Sequence, residues 1–209
     1  MEFDGTGTSD SDGDTLTYDW DFGDGSPPAP NAEPTPSHTY TVVDIYSVTL
    51  MVDHGYGGTS TDVATVVVYN PSGGFLTGDE WIDSPAGTYV PDPSLTGKAM
   101  FGFVSKYKKG APVPTGSTEF QFQAGDLNFH SSSYDWLVVK GSNFARFKGV
   151  GTINGEGAYR FQIWAADSDT DTFRIRIWTE DGGSEVVVYD NGMNQPIGGG
   201  SIVIHAKKK

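Results

Sequence analysis

Apolar and polar residues alternate with a period of two through much of this chain, and no window holds a sustained helical period. Successive side chains on a strand point to opposite faces, so Tyr46, Val48, Leu50 and Val52 share one side of a strand predicted over 46–52. Trp20 and Phe22 share one side of another over 18–22, and a third covers 63–69. Later runs predict strands over 99–104, 118–123, 135–140, 144–149, 158–166, 172–178, 185–189 and 201–205, separated by glycine-rich turns. The apolar set is dominated by β-branched and aromatic residues, so the expected fold class is all-β and antiparallel. Five prolines between Gly25 and His38 exclude a central strand there, because proline has no ladder donor.

The clearest pairing is a hairpin over 158–178. A turn at 167–171 sets Trp164 opposite Arg174, Gln162 opposite Arg176 and Arg160 opposite Trp178. Those positions share one face, and Phe161, Ile163, Phe173, Ile175 and Ile177 take the other. An arginine over an exposed tryptophan contributes about 0.5–1 kcal/mol. Trp164, Trp178, Arg160, Arg174 and Arg176 therefore form a candidate face for sugar rings or a docking protein, or a surface ladder that satisfies itself.

Charge divides the chain. Residues 1–70 hold 12 acids and neither Lys nor Arg, while every basic residue lies from Lys98 onward. The first part carries about −12 and the rest about −2. Nucleic acid and anionic membranes are excluded as partners of such an acidic first part, whereas divalent cations suit it. Lys98, Lys106, Lys108, Lys109 and the tail 207–209 are dispersed or terminal and read as solvated charge. With no cysteine, neither a disulfide nor a thiol nucleophile is available. There is no signal-peptide pattern and no apolar run of spanning length, so no membrane insertion is expected.

Composition changes after residue 70. The expected organisation is a first domain over 1–70, a linker over 71–74 and a second domain over 75–209. Phe3-Asp-Gly-Thr-Gly7, Asp10-Ser-Asp-Gly-Asp14, Tyr18-Asp-Trp-Asp-Phe-Gly-Asp-Gly25, His38-Thr-Tyr40 and Tyr46-Ser-Val-Thr-Leu-Met-Val-Asp53 follow one another in the first domain. On these residues it resembles the PKD domain, an Ig-like β-sandwich of secreted and surface proteins. The resemblance implies an extracellular or cell-surface setting, a structural role for His38 and calcium near the 10–14 loop. The family's first strand has no counterpart ahead of Phe3. A bare sheet edge, open to a pairing partner, is expected in consequence. Leu95-Thr-Gly-Lys-Ala-Met-Phe-Gly-Phe-Val-Ser-Lys-Tyr-Lys-Lys109, Thr115-Gly-Ser-Thr-Glu-Phe-Gln-Phe122 and Gly199-Gly-Ser-Ile-Val-Ile-His205 resemble a β-sandwich module that follows PKD domains in bacterial secreted proteins. A jelly-roll-like second sandwich is expected there.

Two acidic runs carry candidate chemistry. Asp10, Asp12 and Asp14, with Asp53 at the end of a nearby strand, offer the carboxylates a calcium ion needs, and His54 sits beside Asp53. Asp167, Asp169 and Asp171 repeat the spacing between two strands. Asp21 and Asp24 read instead as acceptors for turn amides. His130 is followed by Ser131, Ser132, Ser133 and Asp135, but neighbours in sequence seldom form a catalytic triad. The chain has neither a Gly-x-Ser-x-Gly elbow nor a His-x-x-x-His pair. The leading expectation is a calcium-binding extracellular module for spacing, adhesion or the binding of glycans or surface proteins, without catalysis. The alternative is a calcium-dependent hydrolase of a small ester or lactone.

Overall fold

A computed structural model describes residues 1–206; the Lys207–Lys209 tail lies outside the described residues. Two compact units divide the chain, Met1–Val68 and Tyr69–Lys209. Strands make up less than half of the first unit and most of the second, and a single 3₁₀ turn, Gln123–Gly125, is the one helical element among the described residues.

The first unit is built on an antiparallel sheet of β1 (Thr17–Asp21), β2 (Ala29–Ala32), β3 (Asp44–Asp53) and β4 (Thr59–Val68), in the order β2-β1-β3-β4. The proline-rich segment supplies β2, a short edge strand rather than a central one. Residues 1–5 and 34–38 pair as a ribbon, with Phe3 N–H donating to Pro36 O at 3.0 Å and Gly5 N–H to Pro34 O at 2.8 Å. Phe3 carries this ribbon onto the inner face of the sheet, its ring 5.6 Å from Trp20 and 5.3 Å from Phe22. Trp20, Phe22, Tyr46, Val48, Leu50 and Val52 are all buried there, as the alternation predicts. Each such side chain contributes about 1.5–3 kcal/mol on leaving water. Gly23 turns the chain out of β1 at φ 71°, and a Cβ there would run into the Ser47 carbonyl.

The second unit is one long antiparallel sheet. It comprises β5 (Gly74–Ser84), β6 (Gly97–Tyr107), β7 (Pro114–Phe122), β8 (Leu127–Lys140), β9 (Phe144–Ile153), β10 (Glu156–Ala166), β11 (Thr172–Asp181), β12 (Ser184–Asp190), β13 (Gln195–Pro196) and β14 (Ser201–Ala206). The strands from β5 to β12 lie in chain order, β14 joins β5, and β13 joins β11. This is a meander, where a jelly-roll has Greek-key crossings. It still makes two layers, because the sheet folds over at β8. That strand pairs with β7 over 127–130 and with β9 over 129–140, and its register shifts at Ser131/Ser133 and Tyr134/Trp136. Such bulges bend a strand and increase its twist. Rings from opposite layers then meet: Phe101 of β6 stacks on Phe173 of β11 at 3.9 Å, and Phe120 of β7 meets Tyr189 of β12 at 4.7 Å. The inward set Phe161, Ile163, Phe173, Ile175 and Ile177 is fully buried.

Both edges of this sheet are covered. Beside β12, Val90 N–H donates to Val188 O at 3.0 Å and Asp190 N–H to Thr88 O at 2.9 Å. Beside β14 the cover is made by side chains. Asp171 Oδ2 accepts the Ile202 amide at 2.7 Å, and Asp167 Oδ2 accepts the Ile204 amide at 2.8 Å. The acidic turn between β10 and β11 thus stands in for a neighbouring strand. An unpaired, partly buried amide costs about 1–3 kcal/mol. Asp167→Ala and Asp171→Ala are each expected to lower stability by that order in denaturant titration, and to speed amide exchange at Ile204 and Ile202 respectively. Unchanged exchange at both amides would show that water replaces the carboxylates without loss.

Candidate metal centre and charged face

Asp10 opens a tight acidic loop ahead of β1. Its Oδ1 accepts the amides of Asp12 at 2.8 Å and Asp14 at 3.2 Å. Those amide bonds, from Asp14 first and then Asp12, hold its carboxyl below the usual carboxylate range. Asp14 Oδ2 lies 3.8 Å from Nδ1 of His54, which leaves β3 for the turn before β4. That Nδ1 is shielded from solvent and has no hydrogen-bond partner. Gly58 makes room for the ring, since a Cβ there would meet the imidazole. One ligand atom each from Asp10, Asp14 and His54 falls within 4.8 Å of the others.

The remaining sequence candidates are placed elsewhere. Asp53 Oδ1 accepts the Gly55 amide at 2.6 Å, and Asp12 takes the Ser11 hydroxyl at 3.4 Å; neither belongs to the three-residue cluster. Asp167 and Asp171 are committed to β14, and Asp171 Oδ1 also takes the Ser168 amide at 3.0 Å. Asp169 is exposed at the tip of that turn. Asp190 is held by Arg174, which donates through Nε at 3.1 Å and Nη2 at 3.0 Å. Asn191 spends its carbonyl on the Ile175 amide at 2.8 Å.

The hairpin register follows the sequence: Trp164 pairs with Arg174, Gln162 with Arg176 and Arg160 with Trp178. The resulting face differs from an open sugar platform. Trp178 is only 2% exposed, lying under Lys148 and Arg176, each 5.2 Å from its ring. Trp164 sits between Arg174 at 4.4 Å and Arg146 at 6.0 Å. The cations are balanced in turn: Arg160 Nε meets Glu180 at 2.6 Å, and Arg176 meets Glu185 at 2.8 Å. Trp178 thus has no ring face free to stack on a sugar, a correction to the sequence reading. The long arginine and lysine stems that make the face also roof it over.

An open cavity of about 790 Å³ lies elsewhere on the second unit, lined by Phe75, Lys106, Tyr107, Lys109 and His205 among others. Phe75 and His205 stack there at 4.2 Å. Lys98 lies 3.7 Å over the Trp81 ring. His130 faces Glu119 at 3.7 Å, while Ser132 donates to Val150 O and Ser131 accepts the Thr118 amide. In the first unit, His38 Nε2 lies 2.8 Å from Asp24 Oδ2 and its ring stacks on Phe22 at 4.1 Å. Asp21 and Asp24 accept the Gly23 and Ser26 amides, at 2.9 and 3.0 Å.

A two-layered sandwich with Trp20 and Phe22 at its centre, a tight turn after them and the His38–Asp24 pair define an Ig-like class. A family model described as the PKD domain matches residues 1–68, and that segment is similar to this family throughout the first unit. Neither curated proteins nor solved structures give a match to the chain. No helix among the described residues is long and apolar enough to cross a membrane.

Asp24 is one carboxylate through which acid reaches the first unit, beside Asp4 and Asp10, whose carboxyls are also lowered. The Ser26 hydroxyl, followed by His38 and the Ser26 amide, lowers its carboxyl to about 2. A depressed carboxyl contributes stability that is present above its ordinary value and lost as pH falls through the folded value. The first unit is therefore expected to lose stability as pH falls from about 4 toward 2. Asp24→Asn should flatten that part of the pH profile in thermal unfolding; an unchanged slope would locate the acid sensitivity in other carboxylates.

Proposed function

We propose that this chain is a non-catalytic extracellular β-sandwich pair serving spacing and adhesion, with a divalent cation held at Asp10, Asp14 and His54. The approach of those three ligand atoms, on a unit matched by the PKD family model, is the observation that carries the reading. A cation there would tie the 10–14 loop to the 54–58 turn, across a unit whose formal charges are all negative. Calcium takes about six to eight oxygen ligands, and carboxylates, loop carbonyls and water can supply them. The imidazole nitrogen favours a borderline ion such as zinc over calcium, whereas manganese shares calcium's preference for oxygen.

The binding role falls to glycans or surface proteins. In the second unit the open cavity suits it better than the roofed arginine–tryptophan face. The exposed Phe75 ring beside Lys106 and Lys109 presents an apolar face and cations together, which fits an acidic sugar.

Scanning calorimetry after chelation, and again with calcium, zinc or manganese, tests the cation. A ligand at about a hundredfold excess over its Kd stabilises by ~2.7 kcal/mol. For a unit of this size the transition should rise on the order of 10 °C. Asp10→Asn, Asp14→Asn and His54→Gln should each reduce that rise. No shift with any of the three cations would remove the metal from the proposal.

A further inference from the structure

The chain enters the sheet of the second unit and leaves it at one point. β5 is its first strand and β14 its last, and the two are antiparallel neighbours. Their register sets Gly74 opposite Ala206, Phe75 opposite His205, and so on to Asp79 opposite Ser201. Directly opposed residues in such a pair lie about 4.5–5.5 Å apart. Everything from Glu80 to Gly200 continues from the far end of this six-row ladder.

The two strands are held unequally. β5 makes ten further rows with β6 on its other side. The linker is held to that side as well, since Tyr69 stacks on Tyr107 at the end of β6, ring centroids 5.5 Å apart. β14 has no second strand beside it among the described residues. Separate fasteners hold it instead. In order from Ala206 they are the Phe75–His205 ring stack at 4.2 Å, the Asp167 carboxylate on the Ile204 amide and the Asp171 carboxylate on the Ile202 amide. Ile204 and Ile202 add their buried side chains at the same two rows. The ring stacks that join the layers, Phe101–Phe173 and Phe120–Tyr189, involve neither β5 nor β14.

Direction of load decides how such a ladder yields. Hydrogen bonds between antiparallel strands run perpendicular to the strands. Tension between residues 74 and 206 therefore acts along the bonds, and the row nearest the load carries all of it. Rows then break one after another. Tension along the strands would be shared by all six. We propose that β14 is a tension-released strap: when the chain is pulled through Gly74 and Ala206, β14 peels from β5 row by row while the meander from β5 to β12 stays folded. The unit lengthens under load and recloses when the load is removed. The strap presupposes the spacing role proposed above and needs no cation.

The chain has no cysteine, so introduced thiols give unique attachment points in the full protein. Ser72→Cys with Ala206→Cys loads the ladder across its rows, and Ser72→Cys with Ser201→Cys loads it along the strands. In optical tweezers the first pair should yield at several-fold lower force. Its first extension should be about 40 Å, twice six residues at about 3.3 Å each. A longer extension at higher force should follow. His205→Ala should lower the force of the first step in the first geometry and leave the second geometry nearly unchanged. On the unmodified chain without load, hydrogen exchange should show the Ile202 and Ile204 amides at least about tenfold less protected than those of Phe161 and Ile163. Equal force in the two geometries, one extension of the whole unit in the first, a first step insensitive to His205→Ala, or equal protection of the four amides would each overturn the inference. Any of these beside a cation-dependent rise in Tm would sink the strap and leave the metal reading standing.

Discussion

Every sheet leaves two rows of backbone donors and acceptors without a strand to meet them, and this protein is organised by how each row is satisfied. Water can serve an exposed row, but a partly buried one costs free energy for each group left alone. The second unit answers at one edge with backbone, where residues 88–90 run beside β12, and at the other with carboxylates, where Asp167 and Asp171 receive β14. The first unit answers at β2 by brevity and proline, and at β4 with a carboxylate of the strand itself, Asp62, which accepts the Val63 amide. The folding-over of the long meander depends on the same rule. Two bulges in β8 bend the sheet without cutting the ladder, so the layers face each other while the strands between them stay paired.

Where one face of a strand was buried and the other wet, the sequence was readable. The hairpin of β10 and β11 shows this: strict alternation over both arms left one register that sends Phe161, Ile163, Ile175 and Ile177 inward. β5 was invisible by the same criterion. Its sequence GFLTGDEWIDS places Gly78 at an inward position, where a Cβ would run into Phe103, and sets Asp79 and Asp83 among its outward positions. Glycine and acids weigh against a strand locally, and only the partner β6 explains them. The half of β8 before residue 135 was missed for a related reason, since bulges interrupt its period.

The candidate site was legible in its residue types and not in its grouping. Asp10 and Asp14 were visible as a pair, but which of the nearby groups joins them is fixed by the turn after β3. There Asp53 turns to the Gly55 amide and His54 to the loop. The second acidic run shows the converse. Asp167 and Asp171 have the spacing of a cation loop, yet their partners lie in β14, more than 30 residues on. Trp178 failed differently: period two placed it correctly on the outer face, but pattern carries no information about the long cationic stems that cover it.

The placement of β14 imposes an order on assembly. From β5 to β12 each strand meets the one just before it, so most of the second unit can form by closing short loops in sequence. β14 alone must find β5 at the far end of the meander and present its amides to the turn between β10 and β11. As the chain emerges during synthesis, Asp167 and Asp171 precede that strand and stay solvated until it arrives. Closure of the second unit is thus its longest-range strand pairing, and Asp167 and Asp171 are the latch on the far side of the strand that makes it.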